Sequence, residues 1–135
     1  MANWLLKTEP SVYSFADLQR DKSTIWDGIK NNLALKHLKT VKKGDRCIIY
    51  HTGGERVCVG LGAATTGAYP DPEKDDPRLL VFDIKVGKAL KHEVSLAEMK
   101  LNPRLEGFDL FRLGRLSFVP VSDAHYGEIL EMAKG

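Results

Sequence analysis

The segment Ile25-Trp26-Asp27-Gly28-Ile29-Lys30-Asn31-Asn32 sets a large aromatic beside an Asp-Gly turn and two amides, just ahead of a basic stretch. These residue types can hold a planar ligand. A Trp face stacks, an Asn donates to and accepts from a base edge, and the first turn of a following helix offers backbone N–H groups. The competing reading is structural, since a Trp at a turn is more often a core anchor than a platform. The adjoining residues bear on that choice. Lys30, Lys36, His37, Lys39, Lys42, Lys43 and Arg46 gather positive charge in a span with only two acids, Asp27 and Asp45. Such a run is either a solvated helix face or a surface for a polyanion.

Catalytic chemistry has weaker support. His37, His51, His92 and His125 form no HExxH and no Cys/His ligand group, and the chain contains neither a GxSxG elbow nor a GxxxxGK[ST] loop. Cys47 or Cys58 beside His51 could serve as a nucleophile, but cysteines within apolar strands are usually inert packing residues. Asp71, Asp75 and Asp76 lack EF-hand spacing and a closing Glu, so calcium is not expected.

Several elements must position these residues. Trp4-Leu5-Leu6 reads as a buried strand running into Lys7-Thr8-Glu9-Pro10, where the proline ends any ladder. Ser14 and Asp17 form a capping box for a helix over about Phe15 to Arg20. Ala34, Leu38 and Val41 recur at i, i+4, i+7 and predict an amphipathic helix from about Leu33 to Val41. Arg46–His51 and Val57–Ala64 are β-prone runs joined through Gly53-Gly54, which predicts an antiparallel hairpin with Cys58 opposite Ile49 and diagonal to Cys47. That spacing is too wide for an unstrained disulfide, so both cysteines are expected as core thiols. Gly60 and Gly62, at period two, leave one strand face bare for close approach of another element.

Further along, Tyr69-Pro70-Asp71-Pro72 opens an acidic surface loop, and Leu79 to Val86 reads as a strand with one buried face. Ser95 and Glu98 form a second capping box for a short helix broken at Asn102-Pro103. Phe108 to Val121 carries Arg112, Arg115 and Ser117 into a last strand. Ser122 then caps a closing helix with Tyr126, Ile129, Leu130 and Ala133 on one face.

Composition bounds the class. In 135 residues, 43% are hydrophobic and 28% charged, enough for one soluble globular domain with a proper core, spanning residues 1–135. No stretch suits a membrane span or a signal peptide, and the two cysteines lie outside any CxxC pattern, so a cytoplasmic protein is expected. The net charge of +2 is too small to imply a nucleic-acid partner by itself; placement of charge decides.

The motifs Trp4-Leu5-Leu6-Lys7-Thr8-Glu9-Pro10, Tyr13-Ser14, Trp26-Asp27-Gly28-Ile29, Gly44-Asp45, Tyr50-His51, Val59-Gly60, Tyr69-Pro70-Asp71-Pro72 and Arg112-Leu113-Gly114-Arg115-Leu116-Ser117 occur in the order typical of EVE-domain proteins. The chain resembles that family over nearly its whole length. The group includes the thymocyte nuclear protein family and is related to YTH and ASCH domains. The resemblance implies an α+β fold, a PUA-like curved mixed β-barrel with short helices packed at its openings. It also implies a non-catalytic nucleic-acid binder, for DNA or RNA, that needs no cofactor or metal and accepts a flipped modified base such as a modified cytosine. By position, Trp26 would form an aromatic wall, Lys7, Thr8 and Asn31 would make polar contacts, and Tyr50 and His51 would line the pocket. Arg112, Arg115 and Ser117, with the basic residues Lys30 and Lys36, would hold flanking phosphates.

One departure stands out. The family pattern after Trp-Asp-Gly runs on to Gln-Ala-Arg-Asn, whereas this chain has Leu33 and Leu35 where the Gln and Arg belong. Contacts made from those positions are lost or replaced here. Two other readings use the same residues: an enzyme acting on RNA or a nucleotide, with Lys7, His51 or Arg115 as acid, base or oxyanion partner, and a small-molecule or protein-binding module.

Overall fold

The computed structural model describes residues 1–135. Its strands are β1 Asn3–Thr8, β2 Ser23–Trp26, β3 Arg46–His51, β4 Val57–Ala64, β5 Tyr69–Pro70, β6 Leu80–Ser95 and β7 Phe118–Val121. The helices are α1 Phe15–Asp21, α2 Asn32–Leu38, α3 Leu96–Lys100, α4 Asp109–Arg112 and α5 Asp123–Met132, with a 3-10 turn at Pro103–Leu105. No helix is long and apolar enough to cross a membrane.

The strands run in the order β2-β6-β4-β3-β1-β7, with β5 added to β6. β1 and β3 are parallel and every other pair is antiparallel. The sheet is strongly curved. In a flat sheet β6 and β7, four places apart in that order, would be separated by about 19 Å at about 4.8 Å per strand. Instead Phe82 of β6 and Phe118 of β7 meet edge to face with ring centroids 5.8 Å apart. α2 packs against both strands and fills the opening between them. Ala34, Leu35 and Leu38 point inward from it and join Trp4, Leu6 and Trp26 in a single core of 32 buried residues.

Local chemistry accounts for the helix ends. The Ser14 hydroxyl accepts from the Asp17 N–H while the Asp17 carboxylate accepts from the Ser14 N–H, and Ser95 and Glu98 repeat the arrangement at α3. Ser122 caps α5 by accepting from the His125 N–H. Gly60 makes room for α1, since a Cβ there would lie 2.2 Å from Cζ of Phe15, and one on Gly62 would lie 2.9 Å from Cδ1 of Ile84.

The structure departs from the sequence reading at four places. A bulge at Ile49/Tyr50 sets Cys58 opposite Tyr50 and Gly60 opposite Ile49, so the expected Cys58–Ile49 pairing is shifted. Both cysteines are buried and unbridged, and burial pushes the Cys58 thiol up to about 12 and raises that of Cys47 as well. β6 continues to Ser95 instead of stopping at Val86, because Ala89, Val94 and Ser95 pair with Gly60, Cys58 and Val57 of β4. The polar run Lys91-His92-Glu93 hides that pairing from any periodicity. α2 ends at Leu38; a tight turn, with the Val41 N–H donating to the Leu38 carbonyl, still brings Val41 into the core. Finally, β7 begins only at Phe118, so Arg112 ends α4, and Arg115 and Ser117 lie in the connection before the strand.

Candidate functional site

The parallel β1–β3 register sets Lys7 opposite Tyr50 and Thr8 opposite His51. Side chains alternate along a strand, so Lys7 and Tyr50 serve one face of the sheet and Thr8 and His51 the other. On the first face, Lys7 and Tyr50 border a recess of about 280 Å³ together with Arg56, Leu110 and Gly114. The Lys7 ammonium donates to the Gly114 carbonyl at 2.9 Å, and desolvation lowers its pKa. It is pinned beneath the α4–β7 connection. Tyr50 is 3% exposed and offers the recess little more than an edge.

On the other face, Thr8, Tyr13, Thr24, Trp26, Asp27 and Gly28 line a cleft of about 420 Å³. Tyr13 and Trp26 meet edge to face with centroids 6.3 Å apart and planes at 83°. The Tyr13 hydroxyl donates to Asp21 at 2.9 Å, and the Thr8 hydroxyl donates to the Tyr13 carbonyl at 2.6 Å, so the outer wall is held at both ends. Burial, then the bond to Asp21, raises the Tyr13 pKa and keeps its proton on that hydrogen bond. Trp26 is 7% exposed, so it is a core anchor whose remaining surface lies at the cleft.

A third concavity, also about 420 Å³, is bordered by Asn31, Leu33, Arg112, Leu113 and Arg115, and it shares Gly114 with the Lys7 recess. The connection between β2 and α2 thus serves two hollows. Trp26, Asp27 and Gly28 line the cleft, buried Ile29 fastens the middle of the segment, Lys30 is exposed, and Asn31 borders the basic concavity.

The structure therefore spreads five of the six expected pocket residues over three adjacent hollows. Thr8 joins Trp26, Lys7 joins Tyr50, and Asn31 joins Arg112 and Arg115. His51 lines none of them. Its Nε2 accepts from the Phe15 N–H at 3.0 Å and its Nδ1 lies 2.9 Å from Glu55. Asn31 is the N-cap of α2, its Oδ1 accepting from the N–H groups of Leu33 and Ala34 at 2.9 and 3.2 Å. That occupies the helix-start donors anticipated for a ligand and leaves the Asn31 amide Nδ2 as its available group. Arg112 sits 3.5 Å from Asp109, whereas Arg115 has no ion pair; the Ser117 carbonyl accepts from the Lys7 N–H. Lys36 is exposed on the outer side of α2.

Sequence reasoning passed over Tyr13, Thr24 and Asp27 as cleft residues. Nothing in the spacing of Tyr13 predicts its approach to Trp26, because a helix and a strand separate them. Asp27 was legible only as a turn residue. Elsewhere, Met1, Thr40, Lys42 and Lys43 rim a shallow recess of about 610 Å³ at the far end of α2. Its floor includes Asp45, 3% exposed, which accepts from the N–H groups of Ala2 and Lys42 and from Nε1 of Trp4. No group of three or more His, Cys, Asp or Glu side chains could hold a metal ion.

Comparison with known proteins adds an independent line. The family model described as the EVE domain matches residues 2–132. Thymocyte nuclear protein 1 of Rattus norvegicus is 27% identical over 163 residues, covering 96% of this chain and 72% of the relative. Among solved structures, the protein Rpa0253 of Rhodopseudomonas palustris superposes with a TM-score of 0.93 at 34% identity, covering 99% of this chain and 94% of the other. Human THYN1 protein, solved in complex with DNA containing 5-methylcytosine, superposes with a TM-score of 0.90 at 26% identity, covering 100% of this chain and 99% of the other. The curved mixed sheet with short helices at its openings is accordingly the α+β, PUA-like fold.

Proposed function

This chain belongs to the EVE-domain family, and from that premise we propose that it is a nucleic-acid-binding module that takes a modified base, such as a modified cytosine, into the cleft lined by Tyr13 and Trp26. The observation that carries the reading is the β2–α2 connection, which lines an aromatic cleft at one end and a basic concavity at the other. A flipped nucleotide needs both, side by side. Stacking against an aromatic contributes about 1–3 kcal/mol per base, while extrusion from a duplex costs a few kcal/mol, so phosphate contacts must supply the difference. In this reading Arg115, Arg112, Lys30 and the Asn31 amide supply those contacts, with Lys7 in the neighbouring recess. The likeness to human THYN1, solved with DNA containing 5-methylcytosine, supports the same reading.

Within the cleft, Asp27 can accept a hydrogen bond from an exocyclic amino group, and the hydroxyls of Thr8 and Thr24 can serve neighbouring positions. An acceptor of that kind suits a base with an exocyclic amine, such as cytosine or adenine, and disfavours uracil or thymine, which carry a C4 carbonyl instead. An enzymatic use of Lys7, His51 and Arg115 is less well supported, because Lys7 and His51 serve opposite faces and both ring nitrogens of His51 are engaged.

Fluorescence anisotropy tests the proposal with wild type and Tyr13→Ala on DNA and RNA oligonucleotides with and without 5-methylcytosine. Wild type should prefer one modified strand. The variant, checked for folding by circular dichroism, should lose about 5- to 150-fold in affinity for it, the equivalent of one stacking contact. Equal affinity of wild type for modified and unmodified strands would overturn the base-reading claim, and turnover of an RNA or nucleotide would favour the enzyme.

A further inference from the structure

The lysines of α2 and the turn after it have no role in the cleft. Lys36 and Lys39 are exposed on one side of the helix, and Lys42 and Lys43 continue the row past its end. None of the four forms an ion pair, although Arg20, Arg46, Arg78, Arg112 and Lys134 each pair with a nearby carboxylate. From Gly28 to Gly44 the chain contains no acid at all. Asp45, which ends the run, is buried and already accepts three hydrogen bonds, so it offers no exposed countercharge. Arg46, which follows in sequence, turns away: it lies over the Tyr126 ring and pairs with Asp123.

The row has a direction. It begins at the basic concavity of Asn31, Arg112 and Arg115 and ends at the recess rimmed by Lys42, Lys43 and Met1. We propose that this face is a phosphate track, along which the nucleic-acid strand flanking the flipped base runs from Arg115 past Lys36 and Lys39 to Lys42 and Lys43. The proposal rests on the base-binding reading above and adds where the flanking strand lies. A nucleic-acid backbone is the occupant because it repeats single negative charges along a line and continues from the base-binding site at whose basic concavity the row begins. The seven residues of α2 span about 10 Å, close to the axial advance of three nucleotides of one strand at about 3.4 Å each. A row of unpaired ammonium groups matches that repeat without geometric selectivity, as a sequence-independent contact should.

The test compares wild type with the triple variant Lys39→Gln/Lys42→Gln/Lys43→Gln on single-stranded oligonucleotides, with and without 5-methylcytosine, over a range of salt. Losing three phosphate contacts should reduce the slope of log affinity against log salt by about 2. Between about 50 and about 200 mM salt, wild type should then lose about 20-fold more affinity than the variant. These exposed substitutions leave the core intact, and an unchanged melting temperature confirms it. If the variant keeps the wild-type slope while both proteins still prefer the modified strand, the track is wrong and the base-reading claim survives. If the slope falls but neither protein distinguishes modified from unmodified strands, the track stands and the base-reading claim fails. Absence of binding by wild type overturns both.

Discussion

The Phe15 N–H donates to Nε2 of His51 at 3.0 Å, which ties the first turn of α1 to the last residue of β3. An Nε2 that accepts cannot carry the ring proton, so the proton lies on Nδ1 and faces Glu55 at 2.9 Å. This histidine orders the backbone beneath the cleft and does not reach a ligand. His51→Ala should destabilise the fold by about 1–3 kcal/mol, because the buried Phe15 N–H is left without an acceptor. Urea denaturation measures that loss. Oligonucleotide affinity, taken where both proteins are folded, should change by less than about threefold, because this buried ring lines none of the three hollows.

Gly60 is the counterpart of that tie on β4. The Phe15 ring occupies the space a side chain would need, with the nearest ring carbons 2.2 to 2.6 Å from the position of a Cβ. Gly60→Ala should cost about 1–3 kcal/mol by overpacking. Combining it with Phe15→Leu should return part of the loss, and a double-mutant cycle in urea would show the coupling; strict additivity would mean that the ring relaxes elsewhere.

Asp27 is exposed at the cleft, and none of its carboxylate oxygens is engaged by another residue. If it accepts from an exocyclic amine, Asp27→Ala should reduce the preference for cytosine over uracil or thymine by at least about fivefold, about 1 kcal/mol, in competition anisotropy. Stability should hardly move, since the residue supports no packing.

Acid should loosen α1 and α3, the two helices that begin with a capping box. The Asp17 carboxylate is held below its ordinary 3.8 by the backbone N–H of Ser14, Asp21 by Arg20 and then Tyr13, and Glu98 below 4.5 by His92 and the Ser95 backbone. A carboxylate depressed in the folded state stabilises it fully above its unfolded value and loses that contribution as pH falls through the folded one. Urea midpoints should be flat above about pH 5 and decline below about pH 4. Asp17→Asn should flatten part of that decline; an identical pH profile would mean that Asp17 contributes nothing to it.

Much of the architecture was legible in the residues. Ser14, Ser95 and Ser122 announced their helices because a cap is a local contact, with donor and acceptor three residues apart. The Gly60 and Gly62 pair announced close packing for a similar reason. The site was legible only as an inventory. Lys7, Thr8, Tyr50 and His51 sit at neighbouring strand ends, and sequence order cannot divide them between faces; the parallel register does. Asn31 reads as a base-edge donor until its carbonyl is seen capping α2. Tyr13 approaches Trp26 only through tertiary packing, and the last nine residues of β6 exist as strand only because β4 lies beside them.

β1 has two partners that arrive at very different times. Its parallel neighbour β3 follows within about fifty residues, but its antiparallel neighbour β7 pairs Val121 with Asn3. At about 5–20 residues per second, a ribosome needs about 6 to 20 seconds to deliver Phe118–Val121 after β1 has emerged. For that interval one edge of an apolar strand, Trp4-Leu5-Leu6, has its backbone groups open to pairing with another chain. The same strand that organises the finished sheet is therefore left with an open edge during synthesis, and the last strand of the chain is the one that closes it.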